Sequence, residues 1–316
     1  MYDKIAVIGS LNMDMVVNTA RFPCVGETIL GRGVSFVPGG KGANQAYAAG
    51  RLGGRVKMLG AVGDDVYGKE LLQNLGAVCV DTSSIRKMTD TATGMAFIPV
   101  DQEGNNSIIV ISGANAGCGR QYLEQNETIL RESHFVLLQM EIAEEAVAYA
   151  IARASDSGAA VIVNPAPVPD AGMEKSLLGK IDYLTPNENE VIQLAEKYCN
   201  GIETVEDAAR ILVEKGVRNV IVTLGSKGSL WVDQALRKRY FPACPVKAVD
   251  TTAAGDCFNG AFVTALSRGR SIAEAIRFAT CASALSVTRK GAQSSIPDEK
   301  EVLIMEEQQY GKANNR

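Results

Sequence analysis

From Phe135 onward the chain alternates short apolar runs with longer stretches of helical periodicity, and that alternation leaves few folds open. The pattern predicts strands over 135–139, 160–164, 181–184 and 218–224, with helices over 143–156, 172–179, 188–198 and 204–215 between them. A strand that returns through a helix to its own sheet runs parallel to its predecessor, by a right-handed crossover. The fold class that follows is α/β, a mainly parallel central sheet flanked by helices. Ser229–Val232, after the turn Gly225-Ser226-Lys227-Gly228, reads as an antiparallel strand added at one edge. At 316 residues and 46% hydrophobic, the chain can bury a large core and is expected to form a single domain over 1–316.

The first hundred residues have a different texture. Ile5–Ile8 reads as a buried parallel strand, whereas Asn12–Thr19 and Thr28–Val37, joined by Phe22-Pro23-Cys24-Val25-Gly26, have mixed faces. Gly94–Val100 and Ser107–Ile111 read as a hairpin of the same half-polar kind. Such strands do not suit a sheet covered by helices on both sides. They are expected to form a small separate β-sheet, a lid over one end of the main domain, from about 12–37 and 94–111. The tail, Tyr310–Arg316, is expected to be disordered.

Composition removes several function classes. A net charge of −4 provides no electrostatic footprint for nucleic acid or an anionic membrane. The seven cysteines are scattered, odd in number and without a C-x-x-C pair, which points to reduced thiols and a cytoplasmic setting. His134 is the only histidine, so a Ser-His-Asp triad or a multi-histidine metal site is close to excluded, and a structural role at a strand edge is expected for it. Neither a secretory signal nor a membrane-spanning apolar run is expected in this sequence. The nearest P-loop candidate, Gly63 to Lys69, fails because Glu70 stands where Ser or Thr should hold Mg²⁺, and no G-x-G-x-x-G occurs.

Three clusters remain. Val249-Asp250-Thr251-Thr252-Ala253-Ala254-Gly255-Asp256 lies between an expected short strand, Cys244–Val249, and a helix carrying Phe258, Ala261, Phe262 and Ala265 at helical spacing. The turn should leave the backbone N–H groups of Ala253, Ala254 and Gly255 bare at a helix start, a site for a phosphate oxygen. Asp256, placed where an anion would bind, is either a helix cap or a catalytic base, and the local residues leave both open. Pro38-Gly39-Gly40-Lys41-Gly42-Ala43-Asn44 opens another helix on an unusual backbone path, with Lys41 and Asn44 offering donors to sugar hydroxyls or simply facing solvent. Asn12 and Asp14, two apart on a strand, point to one side and could grip adjacent hydroxyls.

Together these motifs resemble the ribokinase-like, phosphofructokinase-B-type carbohydrate kinases. GGKGANQA (39–46) and DTTAAGD (250–256) carry the resemblance in that order, with TPNENE (185–190), TLGSKG (223–228) and VTRKGAQSS (287–295) beside them. The likeness runs from Ile5 to about Pro297. It implies an α/β sandwich whose lid also makes a homodimer interface, and transfer of the ATP γ-phosphoryl group to O5 of D-ribose. By the same resemblance the sugar falls to Asn12, Asp14, Gly40, Lys41, Gly42, Ala43, Asn44 and Glu141, with Asp256 as base. The nucleotide falls to Asn187, Thr223, Leu224, Gly225, Ser226, Lys227, Gly228, Ala253, Ala254, Gly255 and Thr280, with Glu190 near Mg²⁺ and the phosphates. A potassium site is implied at Asp250, Thr252, Ser286, Arg289, Gly291 and Ser295, several through backbone carbonyls. Thr280 departs from the His or Asn that related kinases often place beside adenine. Within the class, deoxyribose, adenosine or a fructose phosphate are the rival acceptors; outside it, a non-catalytic sugar-binding regulator on this fold is the rival reading.

Overall fold

The computed structural model describes residues 3–311. Eight strands form the central sheet in the order Lys238–Phe241, Ser229–Asp233, Asn219–Thr223, Tyr183–Leu184, Ala160–Val163, Phe135–Leu138, Lys4–Ile8 and Arg55–Leu59. From Asn219–Thr223 to Arg55–Leu59 every pairing is parallel, and the two strands beyond Asn219–Thr223 add antiparallel. The middle strands are apolar at every position because both faces are covered. On one face Ile8, Val136, Leu138, Val161 and Val163 pack against Glu144–Asp156, Glu188–Glu196 and Val205–Glu214. On the other, Ile5, Val7, Leu137 and Ile162 meet Ala43, Ala46 and Ala49 of the helix Lys41–Arg51 and Val263 of the helix Ala254–Ser267.

A separate four-stranded sheet follows the order Gly33–Gly39, Asn12–Asn18, Gly94–Val100, Ile109–Ile111. It draws on the two expected stretches, and Phe97 pairs with Ile109 as the predicted hairpin requires. One side is held to the main body, where Phe36 stacks on Tyr67 with ring centroids 5.5 Å apart. Val34, Ile109 and Ile111 remain exposed.

Several expectations need correction. Cys244–Val249 is not a strand: its backbone is irregular, although Cys244 and Val246 pack into the core beside the Ile272–Ser286 helix. Alternating apolar character there reflects a loop with one buried wall. The second lid strand begins at Gly33, five residues after Thr28, and the 172–179 helix shortens to Lys175–Leu178. Tyr310 ends the helix Glu299–Tyr310 beneath the Arg277 guanidinium, while the rest of the expected disordered tail from 312 lies outside the described residues. The strands Arg55–Leu59, Ala61–Gly63, Arg86–Met88 and Lys238–Phe241 had no sequence expectation. Asp65 in the rejected P-loop is a helix cap, its side chain accepting from Gly68 N. His134 does sit at a strand edge, where Nδ1 accepts from Lys4 N at 3.1 Å.

The two helices that open at the glycine-rich and DTTAAGD motifs lie against each other. A Cβ on Gly260 would meet Ala48 Cβ at 2.5 Å and Gln45 O at 2.7 Å, so the approach requires a bare backbone. Gly260→Ala should therefore destabilise the fold by about 1–3 kcal/mol, the usual cost of overpacking. Urea unfolding would measure it; a change within about 0.5 kcal/mol would mean that the helices can part freely.

Candidate active site

The sugar-side cluster is built where the strand Lys4–Ile8 hands the chain to the small sheet. Gly40 precedes the Lys41–Arg51 helix at φ 84°, and a Cβ there would lie 2.8 Å from Asn12 N. The loop Gly9–Leu11 can therefore lie on the helix start, where Ala43 N donates to Ser10 O at 2.9 Å. Glu141, just past the strand Phe135–Leu138, ties the two together, its Oε2 accepting from Lys41 N at 3.0 Å and from Ser10 Oγ. Asn12 is buried, and its Oδ1 accepts from Asn115 Nδ2 at 2.7 Å. Asn115 also receives Leu11 N on its own oxygen at 2.9 Å, so the base of the small sheet is clamped to the main body.

Asp14 follows on the same strand. Its Oδ1 is buried and has no hydrogen-bond partner. Burial, then the charges of Glu141 and Asp256, pushes its carboxyl from an ordinary 3.8 to about 7. A buried carboxylate oxygen without a partner is an acceptor awaiting a donor.

Asp256 lies in the first turn of Ala254–Ser267 and is 6% exposed. Each carboxylate oxygen takes one amide donor: Oδ2 from Asn44 Nδ2 at 3.0 Å and Oδ1 from Gln45 Nε2 at 2.9 Å. Lys41 is the cation of this group; Asp256 first, against burial, then Glu141 and Glu190 hold its ammonium above the ordinary lysine range. Glu190 and Asn187 form a reciprocal capping box on Glu188–Glu196, which is their helix-start role. Burial nevertheless raises the Glu190 carboxyl, with Asp256 adding and Lys41 opposing, so its side chain also faces the cleft charges.

The DTTAAGD turn departs from expectation at one amide. Ala254 N is not bare but donates to Thr251 O at 3.2 Å. The Ala253 and Gly255 amides have no protein acceptor among the described residues. Ala253 adopts the left-handed conformation, φ 57° and ψ 16°, which turns the chain sharply into the helix. A Cβ at Gly255 would meet nothing within 4 Å, so a ligand can reach this backbone from open space.

Beyond Gly255 opens a cavity of about 450 Å³. Thr223, Gly225, Ser226 and Gly228 line one side, and Ala254, Gly255 and Thr280 the other. The irregular 243–248 segment closes it with Cys244, Pro245 and Val246, residues that carry only a strand pattern before folding. Thr280 Oγ1 donates to Ile276 O at 2.8 Å, so its proton is committed to its own helix. Two expected nucleotide residues turn away: Leu224 packs in the core, and Lys227 Nζ pairs with Glu188 at 3.2 Å.

The loops expected to hold a monovalent cation are joined through Asp250. Its Oδ1 accepts from Thr252 N and Oγ1, and its Oδ2 from Gly291 N at 2.9 Å. Burial would raise this carboxyl, but the Thr252 and Gly291 donors hold it below its ordinary value. Arg289 sends its guanidinium to Glu301, leaving only its carbonyl for the loop. Ser286 and Ser295 spend their hydroxyl protons on Ser283 O and Ala292 O, which leaves their oxygens as acceptors. This oxygen-only donor set fits a hard monovalent cation. Among the described residues no cluster of three or more His, Cys, Asp or Glu side chains could hold a metal unaided, and no helix is long and apolar enough to cross a membrane.

Comparison with known proteins agrees with this arrangement. Residues 2–299 match the pfkB family carbohydrate kinases. A ribokinase from Haemophilus influenzae is 40% identical over 308 residues, covering 96% of this chain and 98% of its own. A deoxyribokinase from Salmonella typhi is 37% identical over 293 residues, covering 93% and 95%. The structure of Arabidopsis thaliana ribokinase complexed with ribose and ATP superposes with a TM-score of 0.89 at 34% identity, covering 97% of this chain and 99% of that one. With the fold, the cleft and nearly the full length accounted for, the chain belongs to the pfkB family of carbohydrate kinases.

Proposed function

We propose that the protein transfers the γ-phosphoryl group of ATP to O5 of D-ribose, with Asp256 as general base. The observation that carries this reading is the junction at Gly255–Asp256. A polar cluster of buried Asn12, Asn44 and Asp256, with half-buried Asp14, lies on one side of it, and a cavity of about 450 Å³ on the other. The O5 hydroxyl would give its proton to Asp256 as its oxygen forms the new bond to phosphorus, and ADP would leave with the old one. The free amides of Gly255 and Ala253 would receive the oxyanion charge that spreads over the transferred group.

Magnesium accompanying ATP supplies further neutralisation, and Glu190 is the carboxylate that would hold it, directly or through water. Asp250, Thr252, Ser286, Arg289, Gly291 and Ser295 would hold potassium. Because Asp250 and Thr252 immediately precede Ala253, an ion there would fix the turn without touching substrate. Asn187, Thr223, Gly225, Gly228 and the neighbouring backbone would take the nucleotide. The exposed apolar side of the small sheet would pair with a second copy, and the sheet itself would close over the sugar and exclude water. Reduced thiols and an ATP donor belong to the cytoplasm, the compartment we assign.

Ribose is preferred over 2-deoxyribose in this reading because Asn12 and the Oδ1 atom of Asp14 are buried polar groups, and such groups discriminate against a substrate lacking the partner hydroxyl. ADP release should be far faster with ribose than with 2-deoxyribose, fructose 6-phosphate or adenosine; equal turnover of the two pentoses would defeat the ribose assignment while leaving the kinase class intact. Asp256→Asn should lower kcat by roughly 10²–10⁴-fold while calorimetry still records ribose binding. Near-normal kcat in that variant would reduce Asp256 to a helix-start residue.

Asp14 makes sugar affinity depend on pH. Its carboxyl stands near 7 in the empty site, and accepting hydroxyl donors on both oxygens, with charge assistance, needs the ionised form. The KM for ribose should fall as pH rises from 6 to 8, and Asp14→Asn should bind ribose weakly at every pH. The sign for stability is opposite. A carboxyl raised above its unfolded value favours the folded state at low pH and loses that contribution as pH rises from about 4 to about 7. The empty Asp14→Asn protein should therefore have a higher Tm than the parent at pH 8, with the gap closing toward pH 4; a gap independent of pH would refute the assignment.

Potassium should raise activity well above that in a bulky organic cation at matched ionic strength. Indifference to the cation would remove the proposed role of the Asp250 and Gly291 loops.

A further inference from the structure

We propose that Gln45 is a positioning residue for the reaction, setting the direction in which Asp256 presents its carboxylate to the acceptor hydroxyl. The inference rests on the reading of Asp256 as the base. Gln45 lies one residue beyond Asn44 and is fully buried at 0% exposure. Its Nε2 donates to Asp256 Oδ1 at 2.9 Å and to Asn164 Oδ1 at 3.1 Å. Its Oε1 accepts from Gln139 Nε2 at 2.7 Å. These partners define one amide orientation. A flipped Gln45 would set its oxygen against two acceptors and its nitrogen against a donor.

The bonds do not stop at Gln45. Asn164 Nδ2 donates to Thr185 O at 2.9 Å, and Thr185 Oγ1 donates to Asn259 Oδ1 at 2.6 Å. Asn259 Nδ2 then donates to Gly255 O at 2.9 Å. The chain of amides leaves Asp256 through Gln45, crosses the ends of two strands of the central sheet, and returns to the residue just before Asp256. Base and anion-binding turn are thereby held by one circuit anchored in the sheet.

A carboxylate in the first turn of a helix can rotate about its side-chain bonds. Asn44 holds one oxygen, but it sits beside the sugar and also accepts from Gln293 Nε2 at 3.0 Å. Gln45 holds the other from the dry side. With one donor on each oxygen, the orientation of the carboxylate plane is defined. Withdrawal of the Gln45 donor leaves the base present but misdirected, a defect of orientation and not of sugar affinity.

The test is single-turnover and steady-state kinetics on Gln45→Met, which keeps the length and removes the donor. The phosphoryl-transfer rate and kcat should fall roughly 10–100-fold, with the KM for ribose within about threefold of the parent. Gln45→Glu, which turns an acceptor toward Asp256, should lose more than Gln45→Met. Gln45→Asn, which keeps an amide one methylene shorter, should recover part of the loss and serves as the probe should Gln45→Met not fold, a point read from the Tm and from ribose calorimetry. A folded Gln45→Met with kcat within twofold of the parent, or a KM increase at unchanged kcat, would overturn the proposal. Asp256→Asn measured in parallel separates the two readings. If it loses activity while folded Gln45→Met does not, the positioning role alone is wrong; if it keeps activity, the base itself is misassigned.

Discussion

The site depends on how closely two helices approach. At Gly260 the helix Ala254–Ser267 meets the backbone of Lys41–Arg51 with no side chain between them. Only at that separation can Asn44 and Gln45 reach both oxygens of Asp256. The same contact sets the glycine-rich start of one helix beside the DTTAAGD start of the other. Two motifs more than two hundred residues apart thus form one cleft because Gly260 lets its helix approach Ala48 and Ala49 of the other.

Charge is arranged around that contact with little to spare. Glu141, Glu190 and Asp256 share Lys41 as their cation, whereas Asp14 meets the like charges of Glu141 and Asp256, and its burial shows in the upward direction its carboxyl moves. Glu141 and Glu190 accept backbone donors, at Lys41 N and Asn187 N, so their position follows from the chain path. Asp14 Oδ1 has no such support. Substrate specificity in this reading comes from that inequality, because the groups without protein partners are the ones a ligand must satisfy.

Much of the architecture was legible in the sequence because parallel strands buried on both faces leave continuous apolar runs, as Ile5–Ile8 and Val161–Val163 do. The small sheet was legible for the converse reason, since its strands keep one exposed side. The motif glycines and Asp256 announced themselves through local backbone demands. Cys244–Val249 did not, because a loop with one wall against the core imitates strand alternation. The amides Asn115, Asn164, Gln139 and Asn259 carried no signal either: each is an ordinary polar residue until folding brings its partner from 20 to 100 or more positions away. The bare amide expected at Ala254 was lost to a turn closed by Thr251, a bond that spacing alone does not reveal.

The unpartnered oxygen of Asp14 has a consequence for the life of the protein in a cell. A fold that carries an unmet hydrogen-bond acceptor in its empty state is completed by the molecule that supplies the donor. In the proposed site, pentose would act as a part of the folded structure as well as substrate. When it is abundant, local opening near the small sheet would be suppressed and proteases would find fewer cleavable chains. When it is scarce, the idle enzyme is the form most readily cleared, so the quantity of protein would follow the supply of its substrate without any separate sensor.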